Sequence, residues 1–176
     1  PVLSVDAPIE LSVVERLIER WFMKHPAIKR WQRRIAAEAG KNGYVEEPVS
    51  GRRRHFWSRV KVTEVYNFPV QTLAGWILNE AIKKVAAQLD WKYEGILFQV
   101  HDALVLDGPD PVKLAGILKE HMTVKLELNG NTMLFPVDIG LARRWGRMVK
   151  LDDDQDLTKQ VREACRIADA EEKARG

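Results

Sequence analysis

Apolar residues recur at helical spacing through Val14, Leu17, Ile18, Trp21 and Phe22, which predicts a first helix from about Pro8 to Lys24. Ser12 with Glu15 offers a capping box that would delay its start. Pro26 interrupts the pattern, and a second helix opens there on the stripe Ile28, Trp31 and Ile35. It runs to about Ala39, with Gly40 and Gly43 ending it. From Tyr44 to Lys61 the chain reads as a basic hairpin or loop, in which Pro48, Ser50 and Gly51 supply the turn. The clearest helix spans roughly Pro69 to Leu89. Its wide apolar face includes Val70, Leu73, Ile77, Leu78, Ile82 and Val85. Gln71, Gly75 and Asn79 fall on one line of it, four residues apart. Pro69 suits its first turn, and Asn67 lies just before it.

Two short apolar runs follow, Gly95 to Val100 and Ala103 to Leu106, joined by His101-Asp102. That pattern predicts a tight β-hairpin. Asp110 and Pro111 suit the N-cap and first residue of a further helix ending near His121. Val124, Leu126 and Leu128 then alternate with polar residues, as do Met133, Phe135, Val137 and Ile139. Asn129-Gly130 between them signals a second hairpin. Beyond Leu151 only Leu157, Val161 and Ala164 form a thin stripe in a charged segment, which reads as a marginal or partner-dependent helix. The fold class is therefore α+β. Its parts are residues 1–43 as helices, 44–150 as a mixed segment with a basic hairpin, and 151–176 as a charged tail.

Charge distribution changes the picture more than composition does. The 176 residues carry a net charge of only +3, but residues 151–176 hold eight acids against five bases. The positive excess lies between Lys29 and Lys61, where ten Lys or Arg residues stand against three Glu. Trp31, Tyr44, Phe56 and Trp57 interleave with them. Clustered cations bind a polyanion by releasing its counterions, and rings can stack on bases. A solvated basic face is the plainer alternative. The single cysteine, Cys165, excludes an intramolecular disulfide and a Cys-rich zinc site. No apolar run approaches the ~20 residues of a membrane span. No basic stretch with an apolar core marks a signal peptide in the first residues. A reducing, cytoplasmic setting is expected.

The pair His101-Asp102 puts two ionisable side chains at the tip of an apolar hairpin. A divalent metal is one partner for that carboxylate, since hard cations prefer oxygen. The ordinary alternative is a turn in which Asp102 bonds nearby backbone amides.

Context favours the first. Gln99-Val100-His101-Asp102-Ala103-Leu104-Val105 resembles motif C of the family A DNA polymerases. Asn67-Phe68-Pro69-Val70-Gln71 resembles the family's Asn-x-Pro-x-Gln segment, which opens a long palm helix. Trp21-Phe22-Met23-Lys24-His25-Pro26 is similar to the joint between two finger helices. Gly43-Tyr44-Val45-Glu46 with Gly51-Arg52-Arg53-Arg54 is similar to the hairpin that follows. Phe135-Pro136-Val137-Asp138-Ile139-Gly140 with Trp145-Gly146 is similar to the closing strand and tail. The five pieces occur in the family's order over roughly residues 8–147.

The resemblance implies finger helices followed by a partial palm, with antiparallel strands backed by the long helix. It implies Asp102 as catalytic and metal-binding, with Mg²⁺ as cofactor. Asn67, Gln71 and His101 would contact primer-template DNA, and Arg52, Arg53 and Arg54 its phosphates. Gln and Asn suit the minor-groove acceptors that every base pair presents.

Family members also carry an upstream metal-binding aspartate and a nucleotide-binding helix, and neither is in this sequence. Two-metal phosphoryl transfer needs carboxylates that hold two cations about 4 Å apart. Ala103 stands where the family often has Glu, Asp107 is five residues from Asp102, and Asp138 lies on another strand. The expectation is thus the C-terminal part of a split polymerase of phage type, in a bacterial cell or a phage-infected host. A separate N-terminal polymerase chain would complete the site for deoxynucleoside triphosphates, and the isolated chain would be inactive. A non-catalytic DNA-binding remnant is the other reading. So is a piece of a longer single chain.

Overall fold

The computed structural model describes residues 10–128, 130–146, 148–152 and 156–174. It holds five helices and four two-stranded antiparallel sheets among them, an α+β fold. Two compact units divide between Leu73 and Ala74. None of the described helices is long and apolar enough to cross a membrane.

The first unit opens with α1 (Leu11–Lys24) and α2 (Pro26–Asn42). Pro8 and Ile9, expected in α1, lie outside the described residues. The Ser12–Glu15 capping box does not form; Glu10 is the N-cap, and the Ser12 hydroxyl lies 3.4 Å from the Glu10 carboxylate instead. The α1 stripe is not buried either, since Leu17, Ile18 and Trp21 are each about half exposed. Helix α2 outruns its expected end and passes through Gly40. Gly43 stops it in the left-handed region (φ 74°), where its N–H bonds the Ala39 carbonyl. One glycine costs a helix only about 1 kcal/mol, which the helix tolerates here.

Strands β1 (Tyr44–Glu46) and β2 (Arg53–His55) form the expected basic hairpin, paired Tyr44 to His55 and Glu46 to Arg53. Helix α3 (Val62–Ala86) starts seven residues before the predicted Pro69. Proline inside a helix forfeits the bond to the carbonyl four residues back and crowds that carbonyl, a loss of about 3 kcal/mol. Val65 and its neighbours offset that loss by packing into a core of Ile35, Ala39 and Val45, flanked by Trp31, Phe56 and Tyr66. Helix α3 also stops short of Leu89. The Trp91 indole donates to the Ala86 carbonyl at 3.1 Å, capping the last turn.

In the second unit, β3 (Gly95–Val100) and β4 (Ala103–Asp107) pair across the two residues His101-Asp102. A bulge falls between Ile96 and Phe98. Helix α4 (Pro111–Met122) is capped as expected: the Asp110 carboxylate accepts from the backbone N–H groups of Val112 and Lys113. Val85, Leu89, Leu104 and Leu114 form the core here, with Ile96, Leu106 and Ile117 against it. Burial of each contributes about 1.5–3 kcal/mol.

The second hairpin, β5 (Val124–Leu128) and β6 (Asn131–Phe135), turns at Gly130 (φ 75°); Asn129 lies outside the described residues. The predicted alternation past Phe135 does not extend the strand. A short pair, β7 (Gly140–Leu141) with β8 (Val149–Lys150), comes next. The thin stripe of the tail forms a 17-residue helix, α5 (Leu157–Lys173), capped by Asp156. Small residues suffice for it to bury Val161, Ala164 and Ala168, and it packs on α4, β7 and β8.

Candidate functional site

The β3–β4 hairpin leaves two residues to reverse the chain, and that requirement sets the geometry of its tip. His101 takes the left-handed conformation (φ 52°), the only described residue other than glycine with positive φ. Such backbone is uncommon for a residue other than glycine, although His, like Asn and Asp, adopts it more readily than most and β-branched residues hardly at all. The Gln99 side-chain amide donates to the His101 carbonyl at 2.7 Å and braces the turn. Asp102 follows, with its carboxylate open to solvent. Asp102 forms none of the hydrogen bonds described for the chain, so the backbone-capping role that an aspartate in a turn ordinarily fills is not used. The whole tip, His101 and Asp102, is exposed. Beside it, Phe98 and Trp145 meet edge to face at 5.0 Å.

Asp102 is a hard oxygen donor of the kind Mg²⁺ takes. The described residues nevertheless offer no group of three His, Cys, Asp or Glu able to hold a metal ion. Asp107 lies at the far end of β4, opposite Gly95, and Asp138 is exposed on a separate segment.

Asn67 and Gln71 sit one helical turn apart on α3, and both are exposed. Asn67 is not a helix cap, because the helix begins five residues earlier. With Gly75 and Asn79 the pair continues along one exposed line of α3. These two residues belong to the first compact unit, His101 and Asp102 to the second.

The three arginines divide. Arg53 forms an ion pair with Glu46, and its guanidinium lies 4.6 Å from the Tyr44 ring centre. The Glu46 hydrogen bond, and then its charge, hold the Arg53 pKa above its ordinary value. Arg54 donates to Glu64 at 2.7 Å from the opposite face of β2. Arg52, Arg30, Arg33, Lys41 and Arg59 have no acidic partner among the described residues, so the basic segment keeps free cations.

Sequence reasoning overlooked Glu47. This carboxylate is 1% exposed and accepts from Val49 N (2.8 Å), Ser50 N (2.6 Å) and Ser50 Oγ (2.5 Å). It folds the loop that presents Arg52. The only signal was its place before Pro48 and Ser50, and side-chain caps of turns are expected from the shorter Asp and Asn.

The sequence profile of DNA polymerase family A matches residues 2–147, most of the chain. Thermostable DNA polymerase I of Thermus filiformis is 31% identical over 154 residues, covering 81% of this chain and 18% of that protein. DNA polymerase I of Deinococcus radiodurans is 29% identical over 154 residues, covering 81% and 16%. The chloroplastic/mitochondrial DNA polymerase I A of Arabidopsis thaliana is 27% identical over 160 residues, covering 81% and 15%. The chain thus spans less than a fifth of the length of these relatives.

Proposed function

Since the chain belongs to DNA polymerase family A, we propose that it is the C-terminal palm portion of a DNA-directed DNA polymerase that adds deoxynucleotides to a primer. The observation that carries this is Asp102. It stands exposed at the tip of a two-residue hairpin, unused by the turn it occupies, within the matched span. A strained residue directly precedes it, and strain of that kind concentrates at functional sites.

In this reading Asp102 is one carboxylate ligand for Mg²⁺, whose contribution is to offset charge on the transferring phosphoryl group. Asn67, Gln71 and His101 contact the primer-template, with amide groups suited to minor-groove acceptors. Unpaired cations such as Arg52 bind phosphates. The second essential carboxylate and the groups that hold the nucleotide come from an upstream polymerase portion, supplied as a separate chain. The setting is the cytoplasm of a bacterial cell or a phage-infected host.

A non-catalytic DNA-binding remnant is the second reading, favoured by the lack of a complete metal-ligand group among the described residues. Primer extension separates the two. The 176-residue chain combined with the upstream portion of a family A polymerase should extend a primer, and Asp102→Asn should abolish extension while leaving DNA affinity nearly intact. Equal extension by Asp102→Asn would remove Asp102 from the chemistry. Extension by the 176-residue chain alone would remove the need for the upstream portion.

A further inference from the structure

The outer face of the β1–β2 hairpin carries a column of rings. Within β2, period-two alternation puts Arg53 and His55 on one side and Arg54 on the other, and Trp57 lies in the bend that follows. Phe56 packs against the core of its unit. On the outer side the Arg53 guanidinium lies 4.6 Å from the Tyr44 ring centre. Tyr44 lies 5.4 Å from His55, and His55 lies 5.7 Å from Trp57 with the rings 21° from parallel. Trp57 ends the column and is 93% exposed, more than any other large apolar side chain described. An indole left in water forgoes the stabilisation that burial would bring. His55 stacks on it, and Arg59, two residues further along the chain, has no acidic partner among the described residues.

We propose that this face binds single-stranded DNA by stacking an unpaired base on Trp57, with a flanking phosphate on Arg59. An indole accepts any base because every base has a π face, and nearby guanidinium groups add attraction to both ring and phosphate. The choice of DNA as the ligand rests on the polymerase reading; the stacking site itself rests on the ring column. A duplex would not use it, since its bases are already stacked on each other.

The test uses the 176-residue chain and three labelled probes of equal length at one salt concentration. These are an oligodeoxyadenylate, an abasic deoxyribose-phosphate strand and a duplex. Fluorescence anisotropy should give the base-bearing strand about fivefold or more tighter binding than the abasic strand, the lower bound for one stacked base. Trp57→Ala should erase that difference and leave abasic and duplex affinity unchanged, because the phosphate contacts remain. Trp57→Phe should keep most of it. Equal binding of base-bearing and abasic strands by the wild type would overturn the proposal. So would a Trp57→Ala variant that weakens all three probes alike. Primer extension distinguishes failure here from failure of the polymerase reading: a chain that supports extension but shows no base preference sinks only the stacking site. A chain with a Trp57-dependent preference that never supports extension sinks only the polymerase reading.

Discussion

Lys113 Nζ lies 2.7 Å from each of the two carboxylate oxygens of Glu94, joining the first turn of α4 to the residue before β3. Glu94 is buried, and the backbone N–H of Asp90 also donates to it at 2.8 Å. A buried carboxylate is tolerated only when its lone pairs are filled, and here three hydrogen bonds fill them. The Lys113 hydrogen bond, followed by that from Asp90, holds the Glu94 pKa below its ordinary value, against desolvation that raises it. Gly108 belongs to the same arrangement. A Cβ there would lie 3.0 Å from Glu94 Cγ and 3.1 Å from Leu114 Cδ1, so a side chain would fit only if the ion pair and the core gave way slightly.

The lowered pKa makes acid stability a direct test. A carboxylate whose folded pKa is depressed contributes stability that is present above its unfolded value, about 4.3 for Glu, and lost as pH falls through the lower folded value. Wild type should therefore lose stability steeply across that acid window. Glu94→Gln should be less stable at neutral pH, yet flatter through the same window. Urea denaturation at a series of pH values measures both, and parallel acid slopes would show that Glu94 is not the group responsible.

Helix α5 supplies a second prediction. Val161 is fully buried, and the helix docks on α4, β7 and β8. Val161→Ala should cost about 2 kcal/mol, from two lost methyl contacts and a small cavity. Arg143–Asp169 and Arg144–Glu172 pair across the same packing, but they are exposed and should each contribute little. Removing the charge by Asp169→Asn should thus cost much less than Val161→Ala. If denaturation shows the two substitutions to be equal, the helix is not held by its apolar stripe.

Local chemistry explains which elements were legible in the sequence. Asp110-Pro111 capped α4 and the apolar runs around His101-Asp102 formed a hairpin because short-range signals and tertiary packing agree there. They disagree at Pro69, which reads as a helix start although burial of Val65 begins α3 earlier, and at Gly40, which reads as a stop although α2 runs on past the buried Ala39. Helix α5 is the opposite case. Its stripe is thin because Ala164 and Ala168 are small, and nothing in the sequence shows that a close-fitting surface awaits them. The site divides in the same way. Residue identities marked Asp102, Asn67 and Gln71, but whether an arginine is free or paired depends on which acid folding brings near it.

That distinction among arginines predicts different salt dependences. Each phosphate contact contributes about 0.9 to the slope of log affinity against log salt. Arg52→Ala should lower the slope for duplex DNA by about that amount. Arg53→Ala and Arg54→Ala should change it less, since Glu46 and Glu64 already compete for those cations. Glu47→Ala should lower it as Arg52→Ala does, through loss of the turn that holds Arg52 in place. Binding isotherms at several salt concentrations read all four. Equal slopes for the three arginine variants would mean that DNA displaces the intramolecular pairs.

His101 allows strain and chemistry to be separated. Its left-handed backbone is required by the two-residue turn, so a β-branched replacement should be penalised whatever the side chain does. His101→Val should lose about 1–2 kcal/mol of stability by urea denaturation. His101→Asn should stay within about 0.5 kcal/mol of wild type, because Asn accepts this conformation. The Asn variant then isolates the imidazole. If the ring contacts the primer-template, His101→Asn should bind and extend it less well, together with the upstream polymerase portion, at unchanged stability. The expected loss is about 1 kcal/mol, or roughly fivefold, for one hydrogen bond. Wild-type stability in His101→Val would show that the turn does not need positive φ. Wild-type extension by His101→Asn would confine His101 to shaping the hairpin that carries Asp102.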